Sequence, residues 1–219
     1  MVRLAILLIP LLCSCKPNAE TITSQVVYEE KTTSFTKEDD SSPLGYWETN
    51  IILPKLSGDG LIIQEINNAI SQTATEFQCE DNKGDKQFES EVTLINKKFI
   101  SLKFSDSWYC AGMPNTQGRT GALTYSLQTG KPLEIEKEIA PSHKNEFNQA
   151  LTSGLQQALK AKQVDEECPA PTLGYFYLAE SEIVFINNSN TEETIQCEAE
   201  FKLTNNEITK YLKEGSPLL

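Results

Sequence analysis

Four cysteines stand in the body of the chain, at 79, 110, 168 and 197, and no other feature limits the fold as much. An even number of cysteines in an exported chain implies two bridges, with three connectivities open to four thiols. No two of them form a C-x-x-C pair. Zinc would need closely spaced ligands or histidines, and His143 is the only imidazole among 219 residues. Disulfides are therefore the expected use, and the fold must bring distant segments into contact.

Export is read from the N-terminus. Arg3 supplies a positive start, and Leu4 to Leu12 form an apolar run too short to cross a bilayer as a helix. Leu12-Cys13-Ser14-Cys15 resembles a bacterial lipobox, in which an aliphatic residue and a small residue precede a lipid-carrying Cys. Ser14 is small enough to stand before the cut; Leu12, before Cys13, is not. Residues 1–14 are thus expected to be a lipoprotein signal peptide, with Cys13 discarded and Cys15 lipidated. A plain secretory signal is the alternative. Two or three acyl chains hold a protein stably at a membrane, where one would be marginal. Lys16 follows Cys15, not the Asp associated with inner-membrane retention, which favours the outer membrane, facing the periplasm or the cell surface.

Residues 15–43, rich in Thr, Ser, Glu, Asp and Lys, are expected to be a polar tether, with room for a first strand near 26–35. The domain proper is expected over 44–219. A helix is predicted over 60–78, with Ile62, Ile66, Ile70, Ala74 and Phe77 on one stripe. A hairpin follows over 91–104, turning near Asn96-Lys97, and its second arm alternates Ile100, Leu102 and Phe104 with Ser101 and Lys103. Leu123, Tyr125 and Leu127 share a face of another strand, closed by Thr129-Gly130. The clearest helix spans 143–162, striped by Phe147, Ala150, Leu151, Leu155, Ala158 and Leu159, with Ser142 as N-cap. A second hairpin is expected over 175–188. Ile195, Cys197, Ala199, Phe201 and Leu203 then alternate along a late strand. Thr204 and Glu207 have the spacing of a capping box, with Leu203 and Ile208 as its hydrophobic staple, and open a short helix running to Gly215. The sum is an α+β fold: an antiparallel sheet packed by two longer helices and a short C-terminal one.

This order pairs the cysteines. Cys79 follows the first long helix and Cys110 ends the strand expected to pack near it; Cys168 follows the second helix and Cys197 faces inward on the late strand. Bridges Cys79–Cys110 and Cys168–Cys197 each tie the loop after a helix to the sheet.

The same order resembles the extracellular domain of RsiV-type anti-sigma factors, also found beside polysaccharide deacetylase domains. The resemblance rests on "INNAI" (66–70), "FISLKFSDSWYCAGMPN" (99–115), "LTYSLQTGKPLEI" (123–135) and "EAEFKLTNNEITKYL" (198–212), and covers roughly Val26 to Leu212. It implies a binding fold whose best-known activity is recognition of lysozyme, a basic protein. The chain departs from the family where its turn usually carries His and here has Met113. Within residues 1–219 neither the deacetylase domain nor the cytoplasmic sigma-binding segment with its transmembrane helix is expected.

A formal net charge of −12 argues against nucleic acid, whose phosphates need Lys and Arg, and favours basic partners or simple solubility. His143, at a helix start beside Lys144, reads as a surface histidine. The carboxylates Glu134, Glu136, Glu138 and Asp165-Glu166-Glu167 read as solvated faces. No Gly-rich phosphate loop follows a strand. The segment 105–120 is the candidate binding loop: Trp108, Tyr109, Met113 and Asn115 are side chains that could hold a partner or stack on a sugar, against the plainer reading that they fold back on the core. The expected function is a lipid-anchored, non-catalytic envelope binding protein for a lysozyme-like wall hydrolase, without metal or cofactor. The runner-up binds peptidoglycan or assists a wall enzyme, and a glycan hydrolase ranks last.

Overall fold

The computed structural model describes residues 26–58, 60–162, 168, 170–187 and 197–219. The signal peptide, Cys13, Cys15, the acidic triplet 165–167 and Ile195 lie outside the described residues. The architecture is α+β, in two sheets. Five strands form the first, in the order β1 (Tyr28–Glu38), β2 (Tyr46–Leu56), β3 (Gly84–Ile95), β4 (Phe99–Cys110) and β5 (Gln117–Ser126). The second holds β6 (Leu173–Leu178), β7 (Glu182–Asn187) and β8 (Glu200–Thr204). One pair departs from the expected antiparallel arrangement: β2 and β3 run parallel, in register from Thr49↔Lys86 to Ile52↔Glu89. Parallel neighbours need a crossover, and α1 (Leu61–Thr75) provides it.

The first strand expected near 26–35 is present and longer, over residues 28–38, within the segment otherwise expected to be a tether. Each of its residues pairs with β2, from Tyr28↔Leu56 to Glu38↔Tyr46, and Val26 just before them is buried. Their Thr, Ser, Glu and Lys content suits a sheet edge, where charge discourages pairing with other chains. In α1 the buried stripe is Ile63, Ile66, Ile70 and Ala74. Ile63 takes the place expected for Ile62. Beneath the helix lie Ile51, Phe88, Ile100, Leu102 and Phe104, which make the core of the first sheet.

The second core gathers Phe147, Leu151 and Leu155 of α3 (Lys144–Ala161) against Phe185, Ala199 and Leu203, with Ile208 of α4 (Asn205–Thr209). A 3-10 turn over Pro141–His143 leads into α3, so its N-cap is His143 and not Ser142, with no side-chain capping bond. The capping box of Thr204 and Glu207 is formed, but α4 stops at Thr209 rather than near Gly215. The chain is drawn out of the helix to bridge Ile139↔Leu212, where Ala140 N–H donates to Tyr211 C=O at 2.8 Å and Lys213 N–H to Glu138 C=O at 2.9 Å. The partner segment is α2 (Ile135–Glu138), a four-residue helix too short to leave a periodic trace in sequence.

Cys79 is bonded to Cys110 and Cys168 to Cys197, with Cα separations of 5.4 and 5.5 Å. The first ties the segment after α1 to the end of β4, and the second joins the segment after α3 to the approach to β8. Ser101 locks the sheets together: its Oγ accepts the Leu178 N–H at 2.8 Å and shares a hydrogen bond with Thr124 Oγ1 at 2.7 Å. Thr93 Oγ1 donates to the Leu178 carbonyl at 2.8 Å.

Candidate functional site

The candidate loop does not act as one surface. Residues 105–110 continue β4, and alternation sends Trp108 and Tyr109 to opposite faces. Trp108 turns toward α1 and stacks on Phe77, with ring centroids 4.5 Å apart and planes within 9°. It is chiefly a packing residue. Met113 closes the turn, its Sδ accepting the Cys110 N–H at 3.4 Å. Asn115 is exposed, and its carbonyl accepts from Gln117 Nε2 at 3.5 Å. Only Tyr109 and Trp108 reach a cleft, and neither Met113 nor Asn115 lines it.

That cleft emerges from the strand register. Directly opposed residues share a sheet face. Asn50, Gln87, Ser107 and Gly118 therefore form one row across four strands, and Ile52, Glu89, Ser105 and Thr120 the next. Asp85 opposes Tyr109 at the far end; Glu91 opposes Lys103 at the near end. Beyond that row lie Ser101 and Thr124, which hold the second sheet against this face. The rest of the face is open. A groove of about 630 Å³ runs between Tyr46, Glu48, Asn50, Asp85, Gln87, Ser107 and Tyr109. A smaller one of about 290 Å³ lies among Glu89, Glu91, Lys103, Ser105 and Thr120.

The opposite face explains why this surface is acidic. Beneath α1, Lys86 and Asp106 are fully buried and paired. Arg119 Nε reaches the other Asp106 oxygen at 3.3 Å, and its second guanidinium nitrogen binds Glu76 at 2.9 Å. Arg119 lies 4.3 Å above the Phe77 ring, and Lys86 lies 5.4 Å from that of Trp108. Burial is the largest influence on the pair. It pulls Lys86 below the ordinary lysine range and pushes Asp106 above the ordinary carboxylate range, against their mutual attraction. The two cations near the groove floor are thus engaged from below. On the outer face Glu48, Glu89 and Glu91 are exposed and join no ion pair among the described residues. The Asp85 carboxylate is oriented by the Glu48 backbone N–H at 2.9 Å. Lys103 is the cation of this face, and it is taken by Glu200 at 2.5 Å.

His143 sits at the exposed start of α3, its Nδ1 3.5 Å from Glu146. Glu134 pairs with Lys137, while Glu138 is buried against Lys213 at 3.4 Å. None of these residues lines the acidic face. Sequence reading missed Tyr46, Glu48, Asn50, Asp85 and Gln87. The trace was there in Asp85–Glu91, where exposed Asp, Gln, Glu and Glu alternate with buried Lys86, Phe88 and Ser90. Lys86 at an inward position disguised the period.

No family model matches the chain, and no curated protein matches it. Solved structures do. A DUF3298 family protein from Pseudomonas aeruginosa PAO1 is 10% identical, covers 87% of this chain and 96% of its own, and superposes with a TM-score of 0.62. A DUF3298 family member from Bacteroides fragilis NCTC 9343 is 15% identical, with 88% and 96% covered and a TM-score of 0.57. Two bridges such as those seen here belong to oxidising, extracytoplasmic compartments. The chain has the fold of these DUF3298 family proteins, cross-linked in each of its two sheet regions and carrying an open acidic face on the larger sheet.

Proposed function

We propose that this chain is a lipid-anchored, non-catalytic binding protein of the bacterial envelope that captures a basic, lysozyme-like wall hydrolase on its acidic face. The observation that carries this reading is the set of unpaired carboxylates Glu48, Glu89 and Glu91 beside Asp85, on a sheet face that the second sheet leaves open. A row of like charges on a flat surface attracts and orients an oppositely charged protein. The RsiV-type resemblance points to the same class of partner. Titration with lysozyme tests the reading. Binding is expected at low salt and should weaken as salt rises, because screening acts on exposed charges. Reversing two of them, Glu48→Lys with Glu89→Lys, should weaken it about tenfold or more. Absence of binding at low salt removes lysozyme as the partner.

The groove itself favours a second reading. Tyr46 and Tyr109 flank Asn50, Gln87 and Ser107, an arrangement of ring faces and hydrogen-bonding side chains suited to a glycan strand. Sedimentation with purified peptidoglycan, compared between the native chain and Tyr109→Ala, tests it. The anchor is tested separately. Cys15→Ala should release the protein from membranes, and an unmodified N-terminus by mass spectrometry in the native chain would refute lipidation.

A further inference from the structure

The ends of the five-stranded sheet differ in chemistry. β1 runs away from the buried Val26 and β2 returns, while β3 parallels β2 and β4 and β5 follow as antiparallel neighbours. The start of β1, the end of β2, the Asn96–Lys98 turn and the Thr129-Gly130 turn therefore share one end. The first turn of α1 is there too: a side chain at Gly130 would meet Ile62 and Glu65. So is the C-terminus, because Lys98 Nζ donates to the carbonyls of Pro217 and Leu219.

This end is apolar and close to neutral in charge. Val27 is 57% exposed, Tyr28 45%, Leu61 70% and Leu219 53%, more than half of the exposed large hydrophobic residues among those described. Lys55, Lys97, Lys98 and Lys131 are exposed around them, with Glu29, Glu30, Glu65 and Glu180 as nearby exposed acids. The other end carries Asp39, Asp40, Glu48, Glu80, Asp81 and Asp85, and the groove. Eleven-residue strands β1 and β2 separate the two ends by about 35 Å.

We infer that the apolar end rests on a lipid bilayer. Val27, Tyr28 and Leu61 enter the interfacial layer, Lys55, Lys97 and Lys131 face lipid phosphates, and the acidic groove is held outward. The occupant is fixed by the length of chain that leads there. Residues 16–25 separate Cys15 from Val26, and ten residues reach at most about 35 Å. That chain joins the domain at the apolar end. Turning the groove to the membrane would require it to run back along the whole hairpin at full extension. Lysines and carboxylates balance at the apolar end, whereas the opposite end presents an excess of carboxylates that an anionic surface repels. The inference rests on the proposed lipid on Cys15.

The test uses the full lipidated chain in phosphatidylethanolamine–phosphatidylglycerol vesicles containing brominated lipid. Leu61→Trp places a reporter at the apolar end, and Leu44→Trp places one beside the groove. The added emission of Leu61→Trp should fall by about half, as expected for an interfacial residue, while that of Leu44→Trp should not change. Mass spectrometry of the same samples separates the two ways to fail. Lipid on Cys15 with no quenching at position 61, or equal quenching at both positions, overturns the resting orientation and leaves the anchor intact. An unmodified Cys15 overturns the anchor and this inference with it.

Discussion

Gly154 shows how tightly single positions are specified. A β-carbon there would lie 2.2 Å from the Phe201 ring, so α3 approaches β8 at a residue without a side chain. In an open helix, Gly→Ala gains up to about 1 kcal/mol. Here the ring must move within a packed core, and overpacking costs about 1–3 kcal/mol. Gly154→Ala should therefore lower stability in urea unfolding; a gain would mean that Phe201 yields freely. Glu207 is a second case. Hydrogen bonds from the Thr204 backbone N–H and then its hydroxyl hold the Glu207 carboxyl below its ordinary value of 4.5. A depressed folded value means stabilisation present above 4.5 and lost as pH falls through the lower folded value. Glu207→Ala should lower the melting temperature at pH 7, and the deficit should shrink as pH drops below 4.5. A deficit independent of pH would exclude the charged cap as its source.

Among elements, β3 and β4 are joined on the α1 side of the sheet by a buried charge pair where a hydrophobic contact would be simpler. Lys86 and Asp106 keep 2% and 0% of their side-chain surface. Removing one partner leaves a buried charge uncompensated, and Asp106→Ala should cost about 3–5 kcal/mol. Replacing both with apolar residues of similar volume, Lys86→Met with Asp106→Leu, should cost clearly less, because desolvation of two ions is then avoided. Urea titration of both variants decides it, and equal losses would mean that the ion network supplies net stability. The Phe77–Trp108 stack and the Cys79–Cys110 bridge bear on the same region.

At the scale of the whole molecule, two cores meet along a polar seam. Ser101 has no exposed surface and joins β4, β5 and β6 through one hydroxyl. Ser101→Ala leaves the Leu178 N–H without its acceptor, at a cost of about 1–3 kcal/mol. Hydrogen exchange should show the Leu178 amide and its neighbours on β6 opening faster. Unchanged exchange there would mean that the sheets are held by their apolar contacts alone. The seam also shapes the binding face. The second sheet covers the end of the larger sheet near Ser101 and leaves the end near Tyr46 and Asp85 open.

Sequence by itself determined what is local. The amphipathic stripes of α1 and α3, the turn at Asn96, the capping box at Thr204 and the alternation of Ile100, Leu102 and Phe104 follow from side chains a few positions apart, so neighbouring residues suffice to specify them. Chain order also placed each cysteine after a helix or on a strand, and the bonded pairs in the structure are those within each half. Tertiary structure decided the rest. Within the polar segment only a short strand near 26–35 was legible, and its full length over residues 28–38 comes from pairing with β2, which no apolar period records. Ser101 and Lys86 are polar residues at buried positions, satisfied by Leu178 and Asp106, which lie 77 and 20 residues away in sequence. The acidic face is the clearest instance. Its members come from β2, β3, β4 and β5, and they meet only because a parallel β2–β3 pair sets a register that no single strand contains.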